Sequence, residues 1–319
     1  MDPSLIERFR GDLDALVPGD APIGVAVSGG PDSLALLLLA AAARPGLVEA
    51  ATVDHRLRPE ARTEAEFVAE LCQSLAVPHT ILTARWDEKP ETAIQERARG
   101  ERYRLLGYWA EERGLKAVAT AHHADDQAET LLMRLMRGAG VRGLAGIRTR
   151  SIVPGAHVRL VRPLLGWRRA ELESLCADAG VTPVDDPSNE DMSFERVRVR
   201  RTLHEVDWLD SAAVARSAAH LAEADAALEW AARAEWERAV DRQRNLIAYR
   251  PDGLPAEISR RIVARAIRKL ATEGEAELRG AELDRIISAL RKGGTVTIRG
   301  VLCRGGSEWR FTPAPPRNQ

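Results

Sequence analysis

The sequence predicts an α/β protein: a parallel-sheet nucleotide-binding domain over residues 1–208, followed by a smaller, mainly helical domain over residues 209–319. Two patterns carry this expectation. Through the first half of the chain, short apolar runs alternate with helix-period segments, as a parallel sheet with crossover helices requires. From about Ser211 onward, alanine, glutamate and arginine dominate at helical spacing, with Trp230 and Trp236 as expected core anchors.

After an amphipathic opening helix, strands are expected near 24–27, 48–53, 79–82 and 116–120. Helices fit between and after them, at 32–43, 62–75, 92–113 and 125–137. A glycine-rich stretch, Arg137 to Gly146, then reads as an irregular binding loop. A helix at 168–179 and a polar loop at 185–190 follow. The second domain is expected to hold helices at 211–242, 255–272 and 280–290, then strand-like pieces at 295–299 and 308–311 and a proline-rich tail.

The chain has 319 residues, 45% hydrophobic and 29% charged, which describes a globular protein with room for about two cores. Its formal net charge of -1 creates no global positive field, so a nucleic-acid partner must be met by a local patch. Cys72, Cys176 and Cys303 are far apart and form no C-x-x-C pair for a metal, cluster or redox couple. The acidic amino terminus lacks a signal pattern, and the longest apolar run falls short of the roughly 20 residues of a membrane span. These features predict a reduced, cytoplasmic protein with no membrane partner.

Ligands of open α/β sheets sit beyond the carboxyl ends of the strands. Three polar clusters are expected there: Ser28-Gly29-Gly30-Pro31-Asp32-Ser33, Asp54-His55, and Thr120 through Thr130. In the first, glycines permit positive φ and close approach of an anion to the backbone, while Ser28, Asp32 and Ser33 offer polar contacts and a helix cap. It lacks the lysine of a Walker loop and the G-x-G-x-x-G spacing of dinucleotide folds. In the third, Asp126 shares a helix face with Glu129 and Thr130. Two acids beside a phosphate site require an intervening cation, either magnesium or an amine. Asp125 and Asp126 also suit helix caps, with His122 and His123 as turn residues.

Cationic candidates recur along the chain. Arg99 and Arg102 lie three apart, Arg137 and Arg142 flank the glycine loop, and Arg196, Arg198, Arg200 and Arg201 form the densest basic stretch. Such a concentration suits backbone phosphates in a near-neutral protein.

The Ser-Gly-Gly-x-Asp-Ser pattern resembles the pyrophosphate loop of the N-type ATP pyrophosphatases, the PP-loop superfamily. Together with Asp54-His55-Arg56-Leu57-Arg58, Ala98 to Tyr103, Thr120 to Leu131, Arg137 to Ile147 and Asp186-Pro187-Ser188-Asn189, it resembles the tRNA(Ile)-lysidine synthetases in order and spacing, in the short form of that family. The resemblance implies an adenine nucleotide alpha hydrolase-like fold and a tRNA-binding second domain. It implies a two-step reaction on tRNA(Ile) with a CAU anticodon, in which ATP adenylates the wobble cytidine and free L-lysine then displaces AMP. Site roles follow from it. ATP would lie against Ser28, Gly29, Gly30, Pro31, Asp32, Ser33, Asp54 and His55, with Asp32 on Mg2+. Lysine would meet Asp126 and Glu129, the arginines named above would meet tRNA, and a homodimer is the assembly to test. Arg56, Val197 and His204-Glu205 depart from the family pattern. The rivals are a tRNA thiolase of the same superfamily, disfavoured by the separated cysteines, and a non-catalytic tRNA- or nucleotide-binding module.

Overall fold

In the computed structural model, which describes residues 1–57, 60–86, 94–184, 191–206, 208–251, 253–271, 278 and 280–315, the chain divides into two compact units. The first comprises Met1–Met136 and Gly146–Ala218, the second Arg137–Ala145 and Ala219–Gln319. The division thus falls ten residues beyond the expected 208/209 boundary and assigns most of the glycine loop to the second unit.

The first unit begins with α1 (Pro3–Asp14), β1 (Ile23–Ala26), α2 (Pro31–Ala43), β2 (Val48–Asp54), α3 (Ala61–Ser74) and β3 (His79–Thr83). It continues with α4 (Ile94–Glu112), β4 (Ala117–Ala119) and α5 (Ala124–Met136). The glycine stretch that follows is not wholly irregular, because Val141–Leu144 forms one helical turn, α6. Two short strands absent from the sequence reading come next, β5 (Arg150–Ile152) and β6 (Arg159–Val161), then α7 (Arg169–Asp178) and α8 (Glu195–Glu205). The expected Asp186-Pro187-Ser188-Asn189 motif and Arg58 lie outside the described residues.

The six strands pair in the order β3-β2-β1-β4-β6-β5, parallel except for β5 against β6. Chain order runs outward from β1 through β2 to β3, then restarts on β1's other side with β4. The gap between the carboxyl ends of β1 and β4 is therefore the topological switch point, where α/β sheets bind ligands. Burial on both faces explains the apolar strands. On one face α2, whose Leu34, Leu36, Leu37 and Leu39 are fully buried, shares a core with Phe9, Leu13 and Trp167. On the other, Leu106 and Trp109 of α4 pack with Val118 and Leu160. Gly24 permits the close approach of α4 to β1, since a Cβ there would lie 2.6 Å from the Trp109 ring.

The long helix α9 (Ser211–Ala239) stops three residues before the expected end, where β7 (Val240–Gln243) begins. The second unit adds β8 (Leu246–Tyr249), α10 (Ala256–Leu270), α11 (Gly280–Arg291), β9 (Thr295–Ile298), β10 (Val301–Arg304) and β11 (Trp309–Pro313). Beside its helices it thus holds a five-stranded antiparallel sheet, ordered β7-β8-β11-β10-β9. Trp236 is an anchor of this core, with Tyr249, Trp309 and Phe311, but Trp230 is 74% exposed and is not. Among the described residues no helix is long and apolar enough to cross a membrane.

Candidate active site

The chain leaves β1 and turns at Gly29, whose φ of 88° lies in the left-handed region that glycine adopts without strain. The turn is knitted by hydroxyls. Ser33 Oγ accepts from the Ser28 amide at 3.1 Å, lies 3.2 Å from Ser28 Oγ and donates to the Gly30 carbonyl at 3.0 Å. The helix cap expected from a Ser or Asp side chain is instead Gly30, with Pro31 following and no side-chain hydrogen bond. An uncapped helix start with a proline at its first position leaves amides and the positive end of the dipole open to an anion.

Facing this loop across the switch point, β4 runs into α5 through His122 and His123. His123 is 2% exposed, and its ring lies 3.5 Å from Asp32, 3.6 Å from Asp125 and 3.6 Å from Asp126. Burial opposes its charge, but the carboxylates of Asp125, Asp32 and Asp126 around it prevail, raising its pKa to about 10. The imidazolium therefore links the phosphate loop to the start of α5. His122 behaves oppositely. Burial, with Arg162, Arg99 and Arg196 nearby, outweighs the pull of Asp126 and lowers its pKa to about 4, so it is neutral.

Asp125 ties down the junction. It accepts from the Arg169 amide at 2.8 Å and from Ser211 Oγ at 2.9 Å, and pairs with Arg168 at 3.2 Å. Asp126 accepts from the His123 amide at 3.1 Å, the cap that the sequence also allowed. Since α5 has begun at Ala124, Asp126 and Glu129 do lie three apart on one helix. Glu129 is 1% exposed, and both of its oxygens are taken: Oε1 by Arg200 Nε at 2.6 Å and Oε2 by Arg196 Nε at 3.0 Å. Arg196 also donates to Thr130 Oγ1 at 3.0 Å. One turn of α8 is thereby clamped to α5 through two arginines four residues apart.

A cavity of about 260 Å³ adjoins this clamp, lined by Asp125, Glu129, Arg168, Arg200, His204 and Asp210 among others. It presents both signs of charge to one small volume. At the end of β2, Asp54 accepts from the Arg56 amide at 2.9 Å, and Arg56 takes a φ of 53°, the conformation that a glycine there would adopt freely. Burial and Arg102 lower the His55 pKa to about 4, and its Nδ1 is buried with no hydrogen-bond partner.

The other predicted cations divide. Arg102 donates to His55 Nε2 at 3.4 Å, and Arg99 donates to Tyr103 OH at 3.2 Å, on the same stretch of α4. Arg198 is exposed and donates to the Met192 and Ser193 carbonyls, while Arg201 pairs with Glu205. Arg137 and the exposed Arg142 belong to the second unit. Sequence reasoning did not single out Arg168, Asp210 or Arg162. Arg162 directly follows β6 beside the site, is 7% exposed, and keeps its Nε buried without a partner. Its position depends on β6, a strand the sequence reading did not place.

Asp32 Oδ1 is also buried with no hydrogen-bond partner. A lone carboxylate oxygen beside a phosphate cradle fits magnesium, which takes one or two carboxylates and completes its shell with water and substrate phosphates. Among the described residues no group of three or more His, Cys, Asp or Glu side chains is arranged for a metal, so the protein alone offers no closed cage. The three cysteines are buried and unpaired, and burial pushes the thiols of Cys72 and Cys303 up to about 12 and that of Cys176 to about 11.

Residues 6–206 match the family model of the PP-loop domain. The chain is 50% identical over 311 residues to the tRNA(Ile)-lysidine synthase of Novosphingobium aromaticivorans, covering 97% of this chain and 93% of that protein. It is 43% identical over 315 residues to the enzyme of the same name from Zymomonas mobilis, covering 98% and 94%. Among solved structures, the U34-tRNA thiolase NcsA from Methanococcus maripaludis superposes with a TM-score of 0.58 at 15% identity, over 69% of this chain and 80% of that one, a likeness of fold. With the PP-loop domain matched over residues 6–206 and relatives 50% and 43% identical over nearly its whole length, the chain belongs to the tRNA(Ile)-lysidine synthase family.

Proposed function

We infer that the protein ligates free lysine to C2 of the wobble cytidine of tRNA(Ile) with a CAU anticodon, using ATP. The observation that carries this reading is the pairing, across one switch point, of an uncapped phosphate loop with an acidic helix start and a cavity of mixed charge. In the first step the C2 oxygen of the base attacks the α-phosphate of ATP, a P–O bond forms, and pyrophosphate departs. In the second the lysine ε-amine attacks C2, a C–N bond forms, and the C2–O bond breaks as AMP leaves with that oxygen and the amine loses a proton.

Each group has a part that its surroundings support. The amides at Gly29 and Gly30, with Ser28 and Ser33, suit the pyrophosphate, and Pro31 fixes the entry to α2. Asp32 would hold magnesium, which when bound offsets phosphate charge. Asp54 keeps the turn that carries His55, and the neutral ring of His55 suits the nucleoside rim. A free lysine carries two ammonium groups and one carboxylate near neutral pH. The cavity beside Glu129 offers Arg168 and Arg200 for the carboxylate and Asp125 and Asp210 for an ammonium. Asp126 receives the reacting amine, and Glu129 serves by holding Arg200 in the cavity wall. Arg99, Arg102, Arg137, Arg142, Arg198 and Arg201 are the phosphate contacts.

The test separates the half-reactions. With ATP, magnesium and the tRNA transcript, pyrophosphate release should proceed without lysine, whereas sustained AMP release should require it. Lysine-independent AMP turnover rejects the reading. A Glu129→Gln variant whose lysine requirement is unchanged removes Glu129 from the lysine site. The thiolase reading is opposed by three separate buried thiols, none of them poised as a thiolate.

A further inference from the structure

The segment Leu203 to Ser211 supplies one wall of the cavity beside Glu129, through Leu203, His204, Val206, Leu209 and Asp210. Trp208 lies in this segment of the chain and is 84% exposed. Val206, two residues before it, and Leu209, directly after it, line the cavity, which places the Trp208 backbone beside the site. A tryptophan left this bare has no packing role, and it exposes a large π-face. Of the four arginines on α8, the preceding helix, Arg198 and Arg201 are exposed and suit a polyanion.

The chemistry of the site supplies the occupant. C2 of a cytidine cannot be adenylated and then attacked by an amine while its base is stacked between its neighbours, so the nucleotide must leave the stack. That movement strips a stacking partner from the adjacent base. Aromatic side chains replace such a partner in single-stranded RNA, and loop bases are the RNA elements best able to use them.

We propose that Trp208 is a stacking platform for an unpaired anticodon-loop base next to the wobble cytidine, and so a positioning residue for the tRNA substrate. This rests on the lysidine reading above. Trp208 touches neither ATP nor lysine in this scheme.

The experiment compares Trp208→Ala, Trp208→Leu and Trp208→Phe with the unaltered enzyme, under saturating ATP and lysine and with tRNA varied. The expected result is a KM for tRNA raised about 10- to 100-fold by Ala. Leu should match Ala despite its apolar bulk, and Phe should restore most of the loss. The KM values for ATP and lysine and the thermal midpoint should not change. Quenching of tryptophan fluorescence by tRNA should shrink in Trp208→Phe. An unchanged tRNA KM in Trp208→Ala overturns the proposal while leaving the lysidine reading intact, as does equal rescue by Leu and Phe. Loss of self-association without a change in tRNA KM also overturns it, and assigns the face to a second copy. An unaltered enzyme that never modifies the transcript overturns both.

Discussion

Asp125 holds the start of α5 by accepting from the Arg169 amide, the Ser211 hydroxyl and Arg168, and by lying 3.6 Å from the His123 ring. Burial works against its charge, but those partners lower its pKa below the ordinary aspartate value. A carboxylate with a depressed folded pKa contributes stability that is complete above its unfolded value, about 3.9, and is lost as pH falls toward the folded one. Asp125→Asn should therefore lower the thermal midpoint at pH 7, with a deficit that narrows below about pH 4. A deficit independent of pH across that window would show that the charge is not what matters. Gly29 presents a different constraint. At φ 88° an alanine pays about 1–2 kcal/mol, although its Cβ would make only ordinary contacts, with Val184 at 3.4 Å and Val68 at 3.8 Å. Gly29→Ala should shift the loop, raise the KM for ATP several-fold and lower stability by that amount, as measured by steady-state kinetics and denaturant unfolding.

The clamp between α5 and α8 is made by Glu129 with Arg196 and Arg200. Removing one guanidinium leaves a buried carboxylate partly unpaired, and Arg200→Met should cost about 1–3 kcal/mol, less than a full loss because Arg196 remains. Adding Glu129→Gln should recover part of that stability, a non-additivity that a double-mutant cycle in denaturant measures. This clamp was not legible in the sequence. Glu129 and Arg200 lie 71 residues apart, and the sequence assigns one to lysine and the other to tRNA rather than to each other. The phosphate loop and the strand ends were legible because their chemistry is local, a glycine turn between an apolar strand and a leucine-rich helix. The strands β7, β8 and β10 were not. β7, Val-Asp-Arg-Gln, has a single apolar residue and so shows no strand pattern, and the alanine-rich sequence before it continues helical propensity past Ala239. The same alanines explain Trp230 and Trp236. Both sit at helical spacing on α9, but where alanine covers every face, periodicity does not say which tryptophan is buried.

The formal charge of the whole chain is -1, so its affinity for a polyanion has to come from placement of arginines rather than from their number. Arg198 and Arg201 of α8 are exposed, and each suits a backbone phosphate. Arg198→Ala and Arg201→Ala should each weaken tRNA binding and reduce the slope of log affinity against log salt by about 1, with the KM for ATP unchanged. Filter binding across a salt series checks both. If neither slope changes, α8 contributes its charge to folding and not to RNA. One product joins the two halves of the site, phosphate loop and acidic helix. That product is the most direct thing to measure: the mass of the wobble nucleoside after incubation of the protein with ATP, magnesium, lysine and the tRNA(Ile) transcript. The cytidine should gain one lysine less one water only when lysine and ATP are both present. A nucleoside of unchanged mass, or a change that does not depend on lysine, would contradict it.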